Sequence, residues 1–185
     1  MRLVLLGAPG AGKGTQGPIL AKHYGVTHVA SGDLLRKHVA EQTEIGKEIS
    51  SYVDRGELVP DDLIVAIVTD VVAEAVKRGG YVLDGFPRTI EQAERAYKYA
   101  KTEGMDADAV LYLHVPDDVA RERLSEREEG RTDDADDAVI NHRLQIFHEQ
   151  TAPLLEFYEQ RGILHTVDAT QDVEAVTRAI LEELG

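Results

Sequence analysis

Apolar positions in this chain fall into two kinds of pattern, short unbroken runs and longer helical stripes. Leu3–Leu6 is a continuous apolar run ending at Gly7, as expected of a parallel strand buried on both faces. Val29–Ala30, Tyr81–Leu83, Val110–Val115 and Leu164–Val167 read as four further strands. Between them Leu63, Ile67, Val71 and Ala75 recur every four residues. The longest stripe is Ile140, Leu144, Phe147, Thr151, Leu154 and Tyr158, stepping alternately by four and three. This alternation predicts an α/β fold, a five-stranded parallel sheet with helices on both faces. Two stretches break the rhythm. Residues 30–59 hold helical patterns without a good strand and read as a helical excursion. Residues 126–137, the charged run EREEGRTDDADD, read as a disordered patch or a mobile loop between two helices. With no internal repeat or linker, one domain over residues 1–185 is expected.

Composition narrows the function classes. The 185 residues, 43% hydrophobic and 29% charged, suit one folded domain with a proper core. Thirty-four acidic against 20 basic side chains give a net charge of −14, which disfavours nucleic acid and anionic membranes as partners. The acidity fits either an ordinary soluble protein or a surface adapted to high salt. No run approaches the ~18 apolar residues of a membrane span. The opening MRLVLLGAPGAGKG lacks a small-residue cleavage site, so a signal peptide is not expected. Zero cysteines exclude a disulfide framework, a thiolate zinc site and a cysteine nucleophile. The expectation is a soluble, cytoplasmic protein. His23, His28, His38, His114, His142, His148 and His165 fall in no metal-like spacing and read as structural or surface residues.

The strongest motif is Gly7–Thr15, GAPGAGKGT, placed after a predicted strand and opening a helix. Glycines let successive backbone N–H groups curl toward one anion, with a helix dipole behind them. Lys13 adds a point charge for β- and γ-phosphates. By itself the motif indicates a nucleotide phosphate and leaves the reaction open. Asp84 ends a predicted strand at the edge where open α/β sheets bind ligands, and suits Mg²⁺ through water; it could instead cap the following turn.

The Lys-Gly-Thr ending is more specific. Gly7–Gln16 resembles the phosphate loop of the adenylate kinase family of nucleoside monophosphate kinases. The likeness continues through SGDLLR at residues 31–36, GELVP at 56–60, DGFPRT at 84–89 with Gln92, GRTDD at 130–134 and TAPL at 151–154. Arg123, Arg127 and Arg143 complete the ordered set. The resemblance implies a P-loop NTPase-type fold with a helical acceptor-binding insertion at 30–59 and a short lid at 127–137. It implies reversible transfer, ATP + AMP to 2 ADP, with Mg²⁺ accompanying ATP and a monomeric enzyme.

Roles carry over position by position as implications of that resemblance. Gly10, Ala11, Gly12, Lys13, Gly14 and Thr15 hold ATP phosphates. Asp84 orients metal-bound water, with Asp33 a weaker second. Arg36 and Arg88 hold the acceptor phosphate, Arg143 bridges donor and acceptor, and Arg127 and Arg131 close over the transferring group. Arg123 stacks on the ATP adenine, and the Asp168–Gln171 loop touches it, Gln171 included. Ser31 and Gln92 contact the acceptor adenine, in a slot lined by Glu57, Leu58 and Val59 and bordered by Gly85 and Phe86. Guanidinium suits these tasks because its planar fork binds phosphate bidentately and stays charged.

Three departures from the family pattern stand out. Ser31 occupies a position where Thr is usual. Gly17 replaces a common Ala and should weaken the first helix slightly. Eleven residues separate Arg131 from Arg143, one more than usual, and the Thr151-Ala152-Pro153 anchor favours Arg143 over His142 as the bridging residue. Two other functions compete: a kinase preferring UMP or CMP, against which Gln92 argues, and a nucleotide switch or ATPase, which would need no second arginine set.

Overall fold

The computed structural model describes residues 1–126 and 137–185. Five parallel strands form one sheet: β1 (Arg2–Leu6), β2 (Thr27–Ala30), β3 (Tyr81–Asp84), β4 (Ala109–His114) and β5 (Leu164–Asp168). Their spatial order is β2-β3-β1-β4-β5, with β1 central. The apolar runs make these strands because both faces of the sheet are covered. Leu3 and Leu5 point into one core and Val4 and Leu6 into the other, the two-residue period of a strand. Leu111 and Leu113 likewise face the first core, while Val110 faces the second.

The first core is closed by helices α1 (Lys13–Tyr24), α6 (Asp117–Ser125), α7 (Asp137–Ile146) and α9 (Val173–Leu184). The second is closed by α4 (Asp61–Lys77), α5 (Ile90–Glu103) and α8 (Pro153–Glu159). In α4 the buried positions are Ile64, Ile67, Val68, Val72 and Ala75, while Leu63 and Val71 are only half-buried. The stripe is thus wider than the four-residue spacing predicts, because α4 meets the strands and α5 at once. The excursion consists of α2 (Ser31–Ala40) and α3 (Glu44–Arg55), packed against each other. Among the described residues no helix is long and apolar enough to cross a membrane.

The longest predicted stripe is delivered in three pieces. Between α7 and α8, residues Phe147–Thr151 form a π turn, with Ala152 N–H donating to the Phe147 carbonyl at 2.8 Å. Pro153, lacking an N–H, opens α8. All six stripe residues are nevertheless buried, because the wider turn keeps Phe147 and Thr151 facing inward.

At the N-terminal ends of β1 and β4, Arg2 grips Asp108 through its guanidinium (2.6 and 3.1 Å) and its backbone N–H (2.7 Å). Burial pushes the Asp108 carboxyl up, but these bonds outweigh it and hold the group below the usual carboxylate range.

Candidate active site

The C-terminal ends of β1 and β3 lie side by side, with Leu5 opposite Asp84 in the register. The phosphate loop therefore emerges next to the strand-end carboxylate. Gly12 caps α1 at φ 92°, a conformation that only glycine adopts freely, and turns the chain sharply into the helix. Gly14 and Thr15 are exposed in the first turn of α1, with their amides at the positive end of its dipole. Lys13 Nζ donates to the Gly7 and Ala8 carbonyls at 2.8 and 3.0 Å, folding the side chain back over its own loop. Ala11 is buried in the first core and supports the loop from below.

A cleft of about 480 Å³ opens in front of this loop. Gly10, Gly12, Lys13, Gly14 and Thr15 form one wall, and Arg36, Arg88 and Arg143 stand around it with Asp84 and Asp33. Four cations thus converge on one concavity in a chain of net charge −14. Arg36 comes from α2, where its guanidinium pairs with Asp33 Oδ1 at 2.5 Å. Arg88 Nε donates to the Gly85 carbonyl at 2.8 Å. Its own carbonyl accepts from the Thr151 hydroxyl at 2.8 Å, which ties the π turn to the Arg88 side of the cleft. The Arg143 side chain passes directly over Gly56, where a Cβ would touch its Cγ and Cδ at 3.0 Å.

Beside the cleft lies a smaller recess lined by Ser31, Glu57, Leu58, Val59, Gly85 and Gln92. Ser31 Oγ is buried and has no hydrogen-bond partner among the described residues. Gly85 makes room for it, since an added Cβ would lie 2.6 Å from that oxygen. Gln92 is 2% exposed, and both ends of its amide are engaged. Its Oε1 accepts the Arg88 N–H at 2.8 Å, and its Nε2 donates to Asp61 Oδ1 at 2.7 Å. Thr89 caps α5 by accepting the Gln92 N–H, so this turn is fixed through both backbone and side chain.

The structure brings most of the expected site residues to this cleft and recess, and places others elsewhere. The Phe86 ring is buried in the second core, so it does not line the recess as a side chain. Arg123 and Gln171 are not in the lining of the cleft or the recess: Arg123 donates to the carbonyls of Ala169, Thr170 and Gln171 at 2.8, 3.0 and 3.4 Å, clasping the β5–α9 loop. In that loop the Thr170 N–H bonds the Asp168 carboxylate and holds it below its usual range. Arg127 and Arg131, with the rest of residues 127–136 of the expected lid, lie outside the described residues.

Sequence reading missed three contributors. Thr151 had a signal, as the one polar member of an apolar stripe. Asp61 had none beyond its place in the first turn of α4. His28, which by spacing reads as a structural or surface residue, lines the cleft, and its ring occupies the space beside Gly17 where a Cβ would sit. Gly17 is therefore a fitted gap as well as a weak helix former.

Among the described residues no cluster of three or more His, Cys, Asp or Glu could chelate a metal alone. One strand-end carboxylate beside a phosphate-binding loop instead suits a hard cation that keeps its waters and is held mainly by bound phosphates.

Comparisons with known proteins agree with this geometry. A family model described as "Adenylate kinase" matches residues 5–163. The chain is 45% identical over 186 residues to a Thermobifida fusca protein of that name, covering 100% of the chain and 98% of the relative. It is 43% identical to an adenylate kinase of Trichodesmium erythraeum (100% and 97% covered) and 46% identical to one of Synechococcus sp. (98% and 96%).

Proposed function

The chain belongs to the adenylate kinase family and is a phosphotransferase that moves a phosphoryl group reversibly between ATP and AMP, giving two ADP; on that premise we propose how its residues divide the work. The observation that carries the assignment is one cleft in which the Lys13 loop faces Arg36, Arg88 and Arg143. A hydrolase must neutralise the phosphates of one nucleotide, whereas a kinase must do so for donor, acceptor and the group between them.

In this proposal the amides of residues 10–15 hold the ATP phosphates, and Lys13 exchanges its two loop carbonyls for phosphate oxygens. Arg36 and Arg88 bind the acceptor phosphate, with Arg36 leaving Asp33 to do so. Arg143 lies between the two phosphate groups. Ser31 and Gln92 read the acceptor base within the recess of Glu57, Leu58, Val59 and Gly85, and Phe86 contributes backbone. Residues 30–59 serve as the AMP-binding excursion. Arg123 and Gln171, with the loop they share, take the ATP adenine. Arg127 and Arg131 close over the transferring group, as parts of a short lid at 127–137.

No residue need act as a covalent nucleophile or an obligatory base, because the acceptor is already an anion. Positioning, charge neutralisation and exclusion of water supply the acceleration. Asp84, through water, and secondarily Asp33 would hold Mg²⁺ with the ATP. When bound, the ion neutralises charge on the β- and γ-phosphates. The proposal extends to a cytoplasmic monomer without nucleic-acid or membrane partners, in keeping with an acidic surface that repels phosphates and a second copy alike.

The test is steady-state ADP formation from ATP and Mg²⁺ with AMP, UMP, CMP and GMP each offered as acceptor. A strong preference for AMP, with little ATP loss when no acceptor is present, is expected. Preference for UMP or CMP would overturn the base assignment. Acceptor-independent ATP loss would overturn the two-nucleotide cleft.

A further inference from the structure

The Gln92 amide has chemically opposite partners at its two ends. The Arg88 backbone N–H can only donate, and it meets Oε1; the Asp61 carboxylate accepts, and it meets Nε2. Turning the amide over would set an NH₂ against an N–H and a carbonyl against a carboxylate, two contacts between like groups. The side chain is almost fully buried, so water cannot relieve that mismatch. Its flip is therefore fixed by its surroundings.

A primary amide has two donor hydrogens and two acceptor lone pairs. With one of each committed to Asp61 and Arg88, one donor and one acceptor remain, at fixed places in the recess wall. The buried Ser31 Oγ, without a hydrogen-bond partner among the described residues, lines the same recess, a second sign that this wall is built for a polar ligand. A 6-aminopurine presents a donor at its exocyclic nitrogen beside an acceptor at N1. A 6-oxopurine presents the same two functions exchanged. An amide free to flip would serve both edges, whereas a locked amide serves one.

We propose that Asp61 is a specificity-positioning residue, which locks the flip of Gln92 and so makes the acceptor site discriminate 6-amino- from 6-oxopurine monophosphates. This rests on the reading of Gln92 as the acceptor-base reader. Asp61 does not touch the base; it acts through the amide.

The probe is IMP, whose base differs from that of AMP only along this edge. Asp61→Asn replaces an acceptor-only group with one that can present either a donor or an acceptor, so of the two contacts that fix the flip only the Arg88 N–H remains and Gln92 can turn at the cost of that single mismatch. The ratio of kcat/KM for AMP to that for IMP should fall roughly tenfold or more, through a higher KM for AMP and a lower one for IMP, with KM for ATP unchanged. Asp61→Glu retains an acceptor-only group and should keep most of the discrimination. Should Asp61→Asn fail to fold, Asp61→Ser carries the same expectation, since a hydroxyl both donates and accepts. Asp62→Asn is the control: Asp62 shares the first turn of α4 but is 85% exposed and pairs with Arg95, so the ratio should not move.

An unchanged AMP-to-IMP ratio in Asp61→Asn, while Gln92→Ala still raises KM for AMP, would overturn the lock and leave Gln92 as base reader. Equal losses for AMP, IMP and ATP would overturn it in favour of a purely structural Asp61. If Gln92→Ala leaves KM for AMP unaltered, the base-reader assignment itself fails and takes the lock with it.

Discussion

Two residues show how far local chemistry constrains this protein. Lys13 rests on the carbonyls of Gly7 and Ala8, so its ammonium is held over the loop before any phosphate arrives, while loop amides stay available to an anion. Replacing it with methionine removes these bonds from a charged donor, worth about 1.5–3 kcal/mol each, but the cleft is open and water can take the place of the ammonium at both carbonyls, so the fold is retained. The transferring phosphates lose a direct charge contact, so Lys13→Met should lower turnover at least ~100-fold with little change in thermal melting. Near-normal turnover would remove Lys13 from the mechanism. Gly17 carries the opposite lesson. Helix propensity alone predicts that Gly17→Ala stabilises α1 by up to about 1 kcal/mol. The His28 ring fills the space that the new methyl needs, and such overpacking costs about 1–3 kcal/mol. Gly17→Ala should therefore lower the melting temperature, and adding His28→Ala should recover much of the loss in a double-mutant cycle. A rise in the single variant would show that the ring yields freely.

At the scale of elements, the excursion depends on one close helix contact. Gly46, buried in α3, lies against the backbone of His38 and Val39 in α2, and an added Cβ would overlap the His38 carbonyl. Backbone cannot yield as a flexible side chain would. Gly46→Ala should cost about 3 kcal/mol and splay the two helices. Because α2 carries Arg36 and Gly56 follows α3, KM for AMP should rise more than KM for ATP. Unchanged melting and KM would mean that the contact is slack. A second element-scale link joins Arg2 in β1 to Asp108, just before β4. The Asp108 carboxyl is held low, so its contribution is complete above the unfolded value near ~4 and is lost as pH falls through the folded one. Asp108→Ala should cost less than ~1 kcal/mol at neutral pH, given how exposed the pair is, and the difference from wild type should vanish in stronger acid. A penalty that persists there would point to packing instead of charge.

Across the whole molecule, an overall charge of −14 surrounds a cleft walled by Lys13, Arg36, Arg88 and Arg143. Self-repulsion of the acidic surface is screened as the Debye length shrinks from ~30 Å at 0.01 M salt to ~3 Å at 1 M. Melting temperature should accordingly rise by a few degrees over that range in NaCl; a fall would mean that attractive pairs outweigh the net charge. The chain's linear pattern determined a good deal by itself. Short unbroken apolar runs bounded by glycine and alternating with helical stripes suit strands covered on both faces, and a glycine-rich turn between β1 and α1 suits presenting amides to an anion, so the sheet and the phosphate loop were legible in advance. The motif positions likewise placed Arg36, Arg88 and Arg143 at one cleft and Ser31 in the recess beside it. Periodicity reports the face that each element buries and is silent on which group it meets there. Tertiary structure alone turned the Phe86 ring into the core, broke the long stripe into a π turn that brings Thr151 to Arg88, 63 residues away, and set Asp61 against Gln92 across 31 residues. Those partners lie on different elements, and only the packing of the layers decides which buried polar groups must satisfy one another.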